Sequence, residues 1–494
     1  MKHAITLLLI TLMSVSAFSY DIEVEGLTYN LKKVDDEIYA ELEGRAYAVD
    51  PNGYITYKTD VIIPSEVTYG ARTYTVKGIG PCAFAPDISG NYAITSLFIP
   101  KTIEYMHPKA LMWYLGGGDY SITELSSLTS IRVAEDNPHW DSREDCNCLI
   151  ETESNTILMG CGTSHIPSSV VAINDYAFTK AGFSGEVVIP AGITHIGNYA
   201  FSYSTMSTLT LEANLKEIPK GLCNECKSLT SVKLNESITH IGTWAFARCS
   251  KLQDINWPSS LSVIEENAFL DCTSLQSISL STAAEVRTSA FEGCRGLTSV
   301  DMPHVERIGV AAFRDCSNLT VVSLPALREF MGTAYAGGCF SNCRSLRQVT
   351  LSDELTYIPS GCFSGCSSLE EIVIPAGINR IGENAFQGCT KLSHVKLLTQ
   401  TPPEVAAGAF STQTKHTATL YVPEGTKLAY QASEQWNEFY FIEEFDATGI
   451  NAPQAPQTVN SKSVNRKCFD LSGRRLAAPP ARGLYIEDGE VRVK

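Results

Sequence analysis

Residues 241–263 read IGTWAFARCSKLQDINWPSSLSV, and the next 22 residues, 264–285, repeat the pattern as IEENAFLDCTSLQSISLSTAAE. A third copy, IGVAAFRDCSNLTVVSLPALRE, begins at Ile308. Each copy holds an Ala-Phe pair, a Cys three residues after the Phe, and then Leu and Val or Ile at further steps of three. A unit of this length is much shorter than a domain, so the copies are interpreted as coils of one repeat array.

The phenylalanine of this pattern marks the array along much of the chain. Successive markers are 22 to 24 residues apart, with one gap of 27, so the period is about 23 residues. Cys223 takes the marker position between the second and third phenylalanines. The markers are Phe178, Phe201, Phe246, Phe269, Phe291, Phe313, Phe340, Phe363, Phe386 and Phe410.

The Leu-x-x-Val-x-Leu run that follows each Cys predicts a short strand. Alternate residues of such a strand face the interior, and the residues between them face water. Leu-x-x-Leu-x-Leu is the strand signature of leucine-rich repeats. The predicted fold is therefore a repeat solenoid of leucine-rich-repeat coils of about 23 residues, in which short parallel strands stack into a curved array.

Eight of the sixteen cysteines occupy the same position in successive repeats, three residues after the marker. We expect them to form an inward ladder of free thiols that pack as small apolar groups. Disulfides between neighbouring rungs are the alternative, because an exported protein meets an oxidising environment and rungs of a sheet lie about 4.8 Å apart. The ladder residues are Cys226, Cys249, Cys272, Cys294, Cys316, Cys343, Cys366 and Cys389.

Cys82, Cys146, Cys148 and Cys161 lie outside this ladder. A disulfide from Cys161 to Cys146 or Cys148 is one possibility. The sequence does not determine the redox state of these four cysteines. Zinc is disfavoured because Cys146-x-Cys148 lacks the spacing of a structural zinc site. We therefore predict no metal ligands here.

Composition and charge exclude two classes of protein. The chain has 494 residues, 44% of them hydrophobic and 19% charged, with 38 Lys+Arg against 54 Asp+Glu and a net charge of −16. It is too apolar for a disordered chain. It is also too acidic to bind nucleic acid by neutralising phosphates, so no nucleic-acid partner is expected.

The first nineteen residues, MKHAITLLLITLMSVSAFS, predict a secretory signal peptide. They combine a basic Lys2, an apolar run over residues 4–15, and the small residues Ala17 and Ser19 before the expected cut. No later segment has the roughly 18 to 20 consecutive apolar residues of a membrane-spanning helix. We expect a protein that is secreted or held at the outer cell surface, with cleavage near Ser19.

The remaining chain divides by pattern. Tyr430, Trp436 and Phe439 are expected to bury the last apolar layer of the array, and the tail after a Ser-, Asn- and Pro-containing linker carries two short alternating segments. The predicted parts are an N-terminal β cap at 20–77, degenerate repeats with an insertion at 78–172, regular repeats at 173–410, a C-terminal cap at 411–445, a linker at 446–464 and a small β module at 465–494.

No sequence motif of a known catalytic or cofactor site is present, so neither catalytic residues nor cofactors are predicted. His195 and His240 share a phase two coils apart, which is too far for one metal, and are interpreted as edge residues of turns. Ser299, Asp301 and His304 contain the residue types of a hydrolytic triad, but the Ser and Asp fall on the outer face of a predicted strand.

The outward strand positions remain as the candidate site, and are called the ribbon below. Hydroxyl, amide and charged groups dominate them, on a pre-organised surface of the kind on which solenoids bind extended partners. We expect a monomer that binds an extracellular protein or a glycan here, with the insertion at 329–338 as a second contact loop. The candidate residues are Lys233, Asp254, Asn256, Ser279, Asp301, Ser323, Gln348, Thr350, Glu371, His394 and Lys396.

The repeat unit I-G-x-x-A-F-x-x-C-x-x-L-x-x-I-x-L-P resembles the BspA-type leucine-rich repeats of exported proteins from Bacteroidota, over about residues 79–410. The segment DNPHWDSREDCNCLIETESNTILMGC is similar to an interruption common in that family. The tail motifs DLSGRR and RGLYI resemble the sorting domain recognised by type IX secretion, in a shorter form. This resemblance implies a secreted or surface protein that serves in adhesion to host extracellular proteins.

A second hypothesis comes from a different class of protein. The irregular region 85–172 could carry the activity of an exported enzyme, or of a glycan-binding module associated with an enzyme. Binding that depends on this region alone would favour it over the ribbon.

Overall fold

The computed structural model describes residues 20–45, 47–49, 55–57, 59–81, 83–84, 94–107, 110, 112–116, 119–122, 127–332 and 338–446, and four short strands between residues 468 and 493. The predicted signal peptide, Cys82, and parts of the 329–338 loop and of the linker lie outside the described residues. The chain forms two units, Met1–Ala447 and Thr448–Lys494.

The first unit contains a β-solenoid of about 15 turns with about 23 residues per turn, which confirms the predicted fold class. One side of each turn is a short strand, here called a face strand, and neighbouring face strands pair in parallel. The face strands are Asp60–Ile62, Ser96–Ile99, Ser130–Val133, Glu186–Ile189, Thr208–Leu211, Ser231–Lys233, Asp254–Ile255, Ser277–Ser279, Ser299–Asp301, Val321–Leu324, Gln348–Leu351, Glu371–Ile374, His394–Leu397, Thr419–Pro423 and Phe441–Phe445.

A second side of the turn is a two-residue strand, here called a back strand. His195 and His240 begin two of these strands, whereas the sequence interpretation placed them in turns. From Ala172 onward the second residue of each back strand is a buried Ile, Val or Phe. The back strands are Tyr105–Met106, Ala172–Ile173, His195–Ile196, Glu217–Ile218, His240–Ile241, Val263–Ile264, Glu285–Val286, Arg307–Ile308, Glu329–Phe330, Tyr357–Ile358, Arg380–Ile381 and Glu404–Val405.

The marker phenylalanines lie on the third side, where the chain turns without forming a strand. Their backbone N–H groups donate to carbonyls of the following turn, as from Phe246 to Ala268 at 2.8 Å. Two left-handed residues flank the marker four residues apart, for example Tyr199 with φ 55° and Tyr203 with φ 60°. Gly, Asn and Asp recur at these positions because they adopt this conformation at the lowest cost.

The marker rings form a continuous stack in the interior. From Phe246 to Phe410, successive ring centroids are 5.0 to 5.6 Å apart and the ring planes lie within 19° of each other. All of these rings are buried. The spacing follows from the distance of about 4.8 Å between strands, so one backbone register serves both the hydrogen bonds and the aromatic contacts.

The cysteine ladder lies beside this stack. The fourteen cysteines whose side chains are described are buried and free. Each ladder thiol also donates to a backbone carbonyl of the preceding turn, as from Cys272 to Phe246 at 3.1 Å and from Cys294 to Phe269 at 3.2 Å. The ladder residues are therefore hydrogen-bond donors as well as small apolar groups.

The part before the array contains antiparallel strands, since Leu27–Val34 pairs antiparallel with Ile22–Val24 and with Glu37–Arg45. Glu37–Arg45 pairs in parallel with Arg72–Ile79, which in turn pairs with the first back strand. The first face strand, Asp60–Ile62, already pairs with Ser96–Ile99, so stacking begins earlier than the predicted start of the repeats at residue 78. The other strands of this part are Tyr47–Val49, Ile55–Tyr57 and Glu66–Tyr69.

The predicted insertion is an antiparallel hairpin between the third and fourth face strands. Cys148–Glu151 pairs with Trp140–Asp141 and with Thr156–Gly160, and the 3-10 helix Arg143–Asp145 precedes it. A second hairpin joins Met112–Gly116 to Asp119–Ile122.

Two short helices, Thr412–Thr417 and Lys427–Ala432, close the C-terminal end of the solenoid. Trp436 and Phe439 pack on the last marker ring, Phe410, with centroid distances of 5.9 and 5.4 Å, and Tyr430 packs on Trp436 at 5.7 Å. All three are buried, as the sequence predicts. The last two face strands run through this cap, so the stack of strands extends past residue 410.

The second unit contains a four-stranded antiparallel sheet where the sequence predicts two strands. Its strands are Cys468–Phe469, Arg475–Leu476, Leu484–Glu487 and Glu490–Val493.

Removing one ring from the stack should destabilise its turn and the two neighbouring turns. We expect Phe291→Ala to lower the free energy of unfolding of its turn by about 3 to 5 kcal/mol, because a buried ring is lost and a cavity remains. Phe291→Leu, which refills most of the space, should cost less. Hydrogen exchange of the amides in turns 264–324 measures the effect, and equal exchange in the two variants would contradict the packing.

The ladder thiols should resist alkylation in the folded protein. Burial raises the pKa of Cys389 to about 12, so about one thiol in a thousand is ionised at pH 9. We expect mass spectrometry to find no iodoacetamide label on the ladder at pH 9, but full labelling of all eight thiols in urea without reductant. A requirement for reductant in urea would show that these cysteines form disulfides.

Candidate partner-binding ribbon

The face strands position ten of the eleven predicted ribbon residues, and the eleventh, Asn256, directly follows a face strand. Their side chains point outward because the residues on either side of them in the strand point into the core, as Ile372 and Ile374 do around Val373. Ser323, Thr350 and Lys396 are half-buried by their neighbours. The exposed ones are Lys233, Asp254, Asn256, Ser279, Asp301, Gln348, Glu371 and His394.

Strand pairing brings several of these residues side by side. Ser279 lies opposite Asp301, and Ser323 lies opposite Thr350. Glu371 lies opposite His394, and its carboxylate also accepts a hydrogen bond from Lys396 at 2.8 Å. The ribbon therefore presents hydroxyl groups at its centre and an ion pair toward its C-terminal end.

The hydrogen-bonded sheet under the ribbon is divided into four blocks. Breaks fall after Ser130–Val133, after Asp254–Ile255 and after Gln348–Leu351. The outward residues nevertheless follow one another from turn to turn, because the turns stay stacked through the other two sides.

Asn256 lies at the second break and has a structural role that the sequence did not reveal. Its side-chain oxygen accepts the Leu234 N–H at 2.6 Å, and its amide group donates to the Leu234 carbonyl at 2.9 Å. The side chain thus provides hydrogen-bond partners to Leu234 just where the backbone pairing of Ser231–Lys233 with Asp254–Ile255 ends. Asn256 is thus a predicted ribbon residue whose side-chain amide binds the backbone through both its oxygen and its nitrogen.

In the described part of the chain, the residues that the sequence offered for a metal site or a hydrolytic triad do not come together. No three His, Cys, Asp or Glu side chains gather there around a common centre for a metal. Ser299, Asp301 and His304 are exposed, and no hydrogen bond joins them there.

The three thiols of the insertion are buried and free. The Cys148 thiol donates to the Cys146 carbonyl at 3.5 Å, and the Cys148 backbone N–H donates to the Cys146 sulfur at 3.3 Å. Interaction with the side chain and the backbone of Cys148 lowers the pKa of Cys146. The same contact and burial raise the pKa of Cys148. The proposed bridge from Cys161 to Cys146 or Cys148 is not formed in this structure.

The back strands carry a different surface, made of alternating charges. Glu285 is almost buried between Arg287, at 3.1 Å, and Arg307. Arg287 also contacts Glu265 at 2.7 Å. These charges therefore neutralise one another at this place on the back surface.

Sequence reasoning missed the outward residues at the C-terminal end of the sheet. Thr419 and Tyr421 lie on one additional face strand, and Phe441 and Glu443 lie on the last. The marker phenylalanine ends at Phe410, so the repeat pattern gave no signal there. The available signal was the alternation of apolar and polar residues around Tyr421, because Leu420 and Val422 on either side of it are buried.

The stacked parallel strands, the buried Leu ladder and the outward ribbon define a leucine-rich-repeat solenoid. The model of the BspA-type leucine-rich repeat region matches in six copies, over residues 159–276, 243–337 and 336–433. These matches cover more than half of the sequence, and the chain belongs to this family.

The chain is similar to two solved structures of bacterial proteins. A leucine-rich repeat protein from Bacteroides ovatus is 24% identical, with a TM-score of 0.59, and the alignment covers 86% of this chain and 100% of that one. A leucine-rich cell surface protein from Faecalibacterium prausnitzii is 20% identical, covers 88% and 97% of the two chains, and has a TM-score of 0.39. The first similarity supports the fold alone.

None of the curated proteins matches this sequence. Among the described residues, the structure has no helix with the length and apolar character needed to span a membrane.

Removing the Asn256 amide should destabilise its turn. We expect Asn256→Ala to lower local stability by about 1 to 3 kcal/mol, because the half-buried Leu234 N–H and carbonyl lose their partners. Ser279→Ala, at an exposed ribbon position, should change stability by less than about 0.5 kcal/mol. Hydrogen exchange of the Leu234 amide reports the difference, and equal protection in the two variants would contradict this role.

Proposed function

We propose that this protein is a non-catalytic binding protein that attaches to an extracellular protein through its ribbon. Its membership of the BspA-type family supports a binding role, because leucine-rich-repeat solenoids present their strand faces to protein partners. The finer proposal is adhesion to a host matrix or cell-surface protein.

The observation that carries this proposal is the rigid exposure of the ribbon. Residues such as Lys233, Ser279, Asp301 and Gln348 are exposed on strands whose alternate residues are fixed in the core. Their backbones are therefore already ordered, so association costs less conformational entropy than it would for a loop.

The location of the protein is part of the proposal. The apolar start of the chain and its residues Ala17 and Ser19 support export and cleavage near Ser19. The DLSGRR and RGLYI motifs in the tail support transport of the protein to the outer surface by type IX secretion. We propose that the mature protein is a monomer at, or released from, that surface.

The test compares binding by the ribbon with binding by the back of the solenoid. In the variant Ser279→Arg/Asp301→Arg, two bulky cations stand at paired positions in the centre of the ribbon. The control, His195→Arg/Glu217→Arg, makes the same charge change at exposed back positions. We expect the ribbon variant to bind a panel of immobilised matrix proteins at least tenfold more weakly than the unchanged protein in surface plasmon resonance.

The control should retain its affinity within about twofold. Equal loss in both variants would show that net charge governs binding, and full binding by the ribbon variant would contradict the proposed surface. Turnover of a matrix protein or glycan during the assay would instead support the enzyme hypothesis.

A further inference from the structure

The C-terminal end of the ribbon differs chemically from the rest. Three paired strands place His394, Thr419 and Phe441 in one outward row, and Lys396, Tyr421 and Glu443 in the next. The rings of His394 and Tyr421 stack with centroids 5.9 Å apart and planes 13° apart. The group His394, Thr419, Tyr421, Phe441 and Glu443 is called the terminal patch below.

The patch exposes aromatic surface that the core does not need. Phe441 is 52% exposed, whereas its neighbour Ile442 is buried and makes the core contact of this strand. At the adjoining corner, Tyr440 is 66% exposed and stacks on the exposed His416 at 4.1 Å. Exposed apolar surface gathered in this way is typical of an interaction site.

The charge around these rings is negative. Lys396 is paired with Glu371, and Lys415 is paired with Glu438. Glu443 is exposed and has no ion-pair partner among the described residues. Aromatic faces beside the unpaired carboxylate of Glu443 favour a cationic ligand, above all a guanidinium group.

The patch also lies at an open sheet edge. Phe441–Phe445 pairs with Thr419–Pro423 and with no other described strand. An edge strand presents alternate N–H and carbonyl groups that an extended peptide can pair with. A second copy of this chain is a poor occupant, because antiparallel pairing about Glu443 would bring like charges together.

We propose that the terminal patch binds a basic, extended segment of the protein partner. The segment adds to the edge of Phe441–Phe445, an arginine or lysine side chain stacks on the aromatic rings, and Glu443 pairs with a cation. This inference rests on the proposed protein-binding function and assigns one end of the ribbon a partner chemistry.

The test uses the full mature chain and a defined probe. A fluorescein-labelled ten-residue peptide of alternating Arg and Thr is titrated at physiological ionic strength, and its affinity is read by fluorescence anisotropy. We expect Phe441→Ser and Glu443→Gln each to weaken binding at least tenfold. Peptides of alternating Glu and Thr, or of alternating Arg and Pro, should bind far more weakly, since they lack the charge or the N–H groups.

Matched controls lie away from the ribbon. Val171→Ser removes an exposed apolar side chain next to a back strand, and Glu217→Gln removes an exposed carboxylate from another back strand. These variants should retain the affinity within about twofold. Equal weakening of all four variants would overturn the proposal, because it would show general attraction to an acidic protein. A loss of glycan-array signal in Phe441→Ser, with peptide binding unchanged, would overturn it in favour of a sugar site.

The same variants separate this inference from the proposed function. If Phe441→Ser and Glu443→Gln bind the matrix panel as well as the unchanged protein, while Ser279→Arg/Asp301→Arg does not, the patch proposal fails and ribbon binding stands.

Discussion

The structure depends on the contact between one turn and the next. A single turn of about 23 residues cannot enclose its own Phe, Cys and Leu side chains; they are dry only because identical residues lie above and below. Three sets of backbone hydrogen bonds, on the face strands, the back strands and the marker turns, hold the turns at one spacing. That spacing also suits the stacked rings and the thiol-to-carbonyl bonds, so each turn is stabilised chiefly by its neighbours.

The periodic part of this fold could be predicted because a buried ladder constrains the same position in every turn. Phe246, Phe269 and Phe291 recur at the period because each must stack on the next ring. The ends could not be placed in the same way. Asp60–Ile62 has no marker phenylalanine, and past Phe410 the core is filled by Tyr430, Trp436 and Phe439 from a different local structure. Long-range contacts, invisible to the repeat pattern, determine these boundaries.

The candidate site shows the same division. Alternation along the strands was enough to predict which side chains face outward, from Lys233 to Lys396. It could not show that Asn256 binds both backbone groups of Leu234, because these contacts depend on where the neighbouring strand Asp254–Ile255 ends. Nor could it show that Tyr421, Phe441 and Glu443 extend the ribbon. Their pairing across the sheet depends on how the C-terminal cap folds. The ribbon thus ends in an aromatic, acidic surface that differs from its hydroxyl-rich centre.

The central claim is that the recurring Phe, Cys and Leu residues form the layers of a single dry interior. Residue-resolved hydrogen exchange of the full chain tests it most directly. The account predicts slow exchange at the N–H groups that cross between turns, repeating every 22 to 24 residues from Phe178 to Phe386 apart from the one longer turn before Phe340. Protection confined to separate blocks with no such period, or fast exchange at the marker amides, would contradict it.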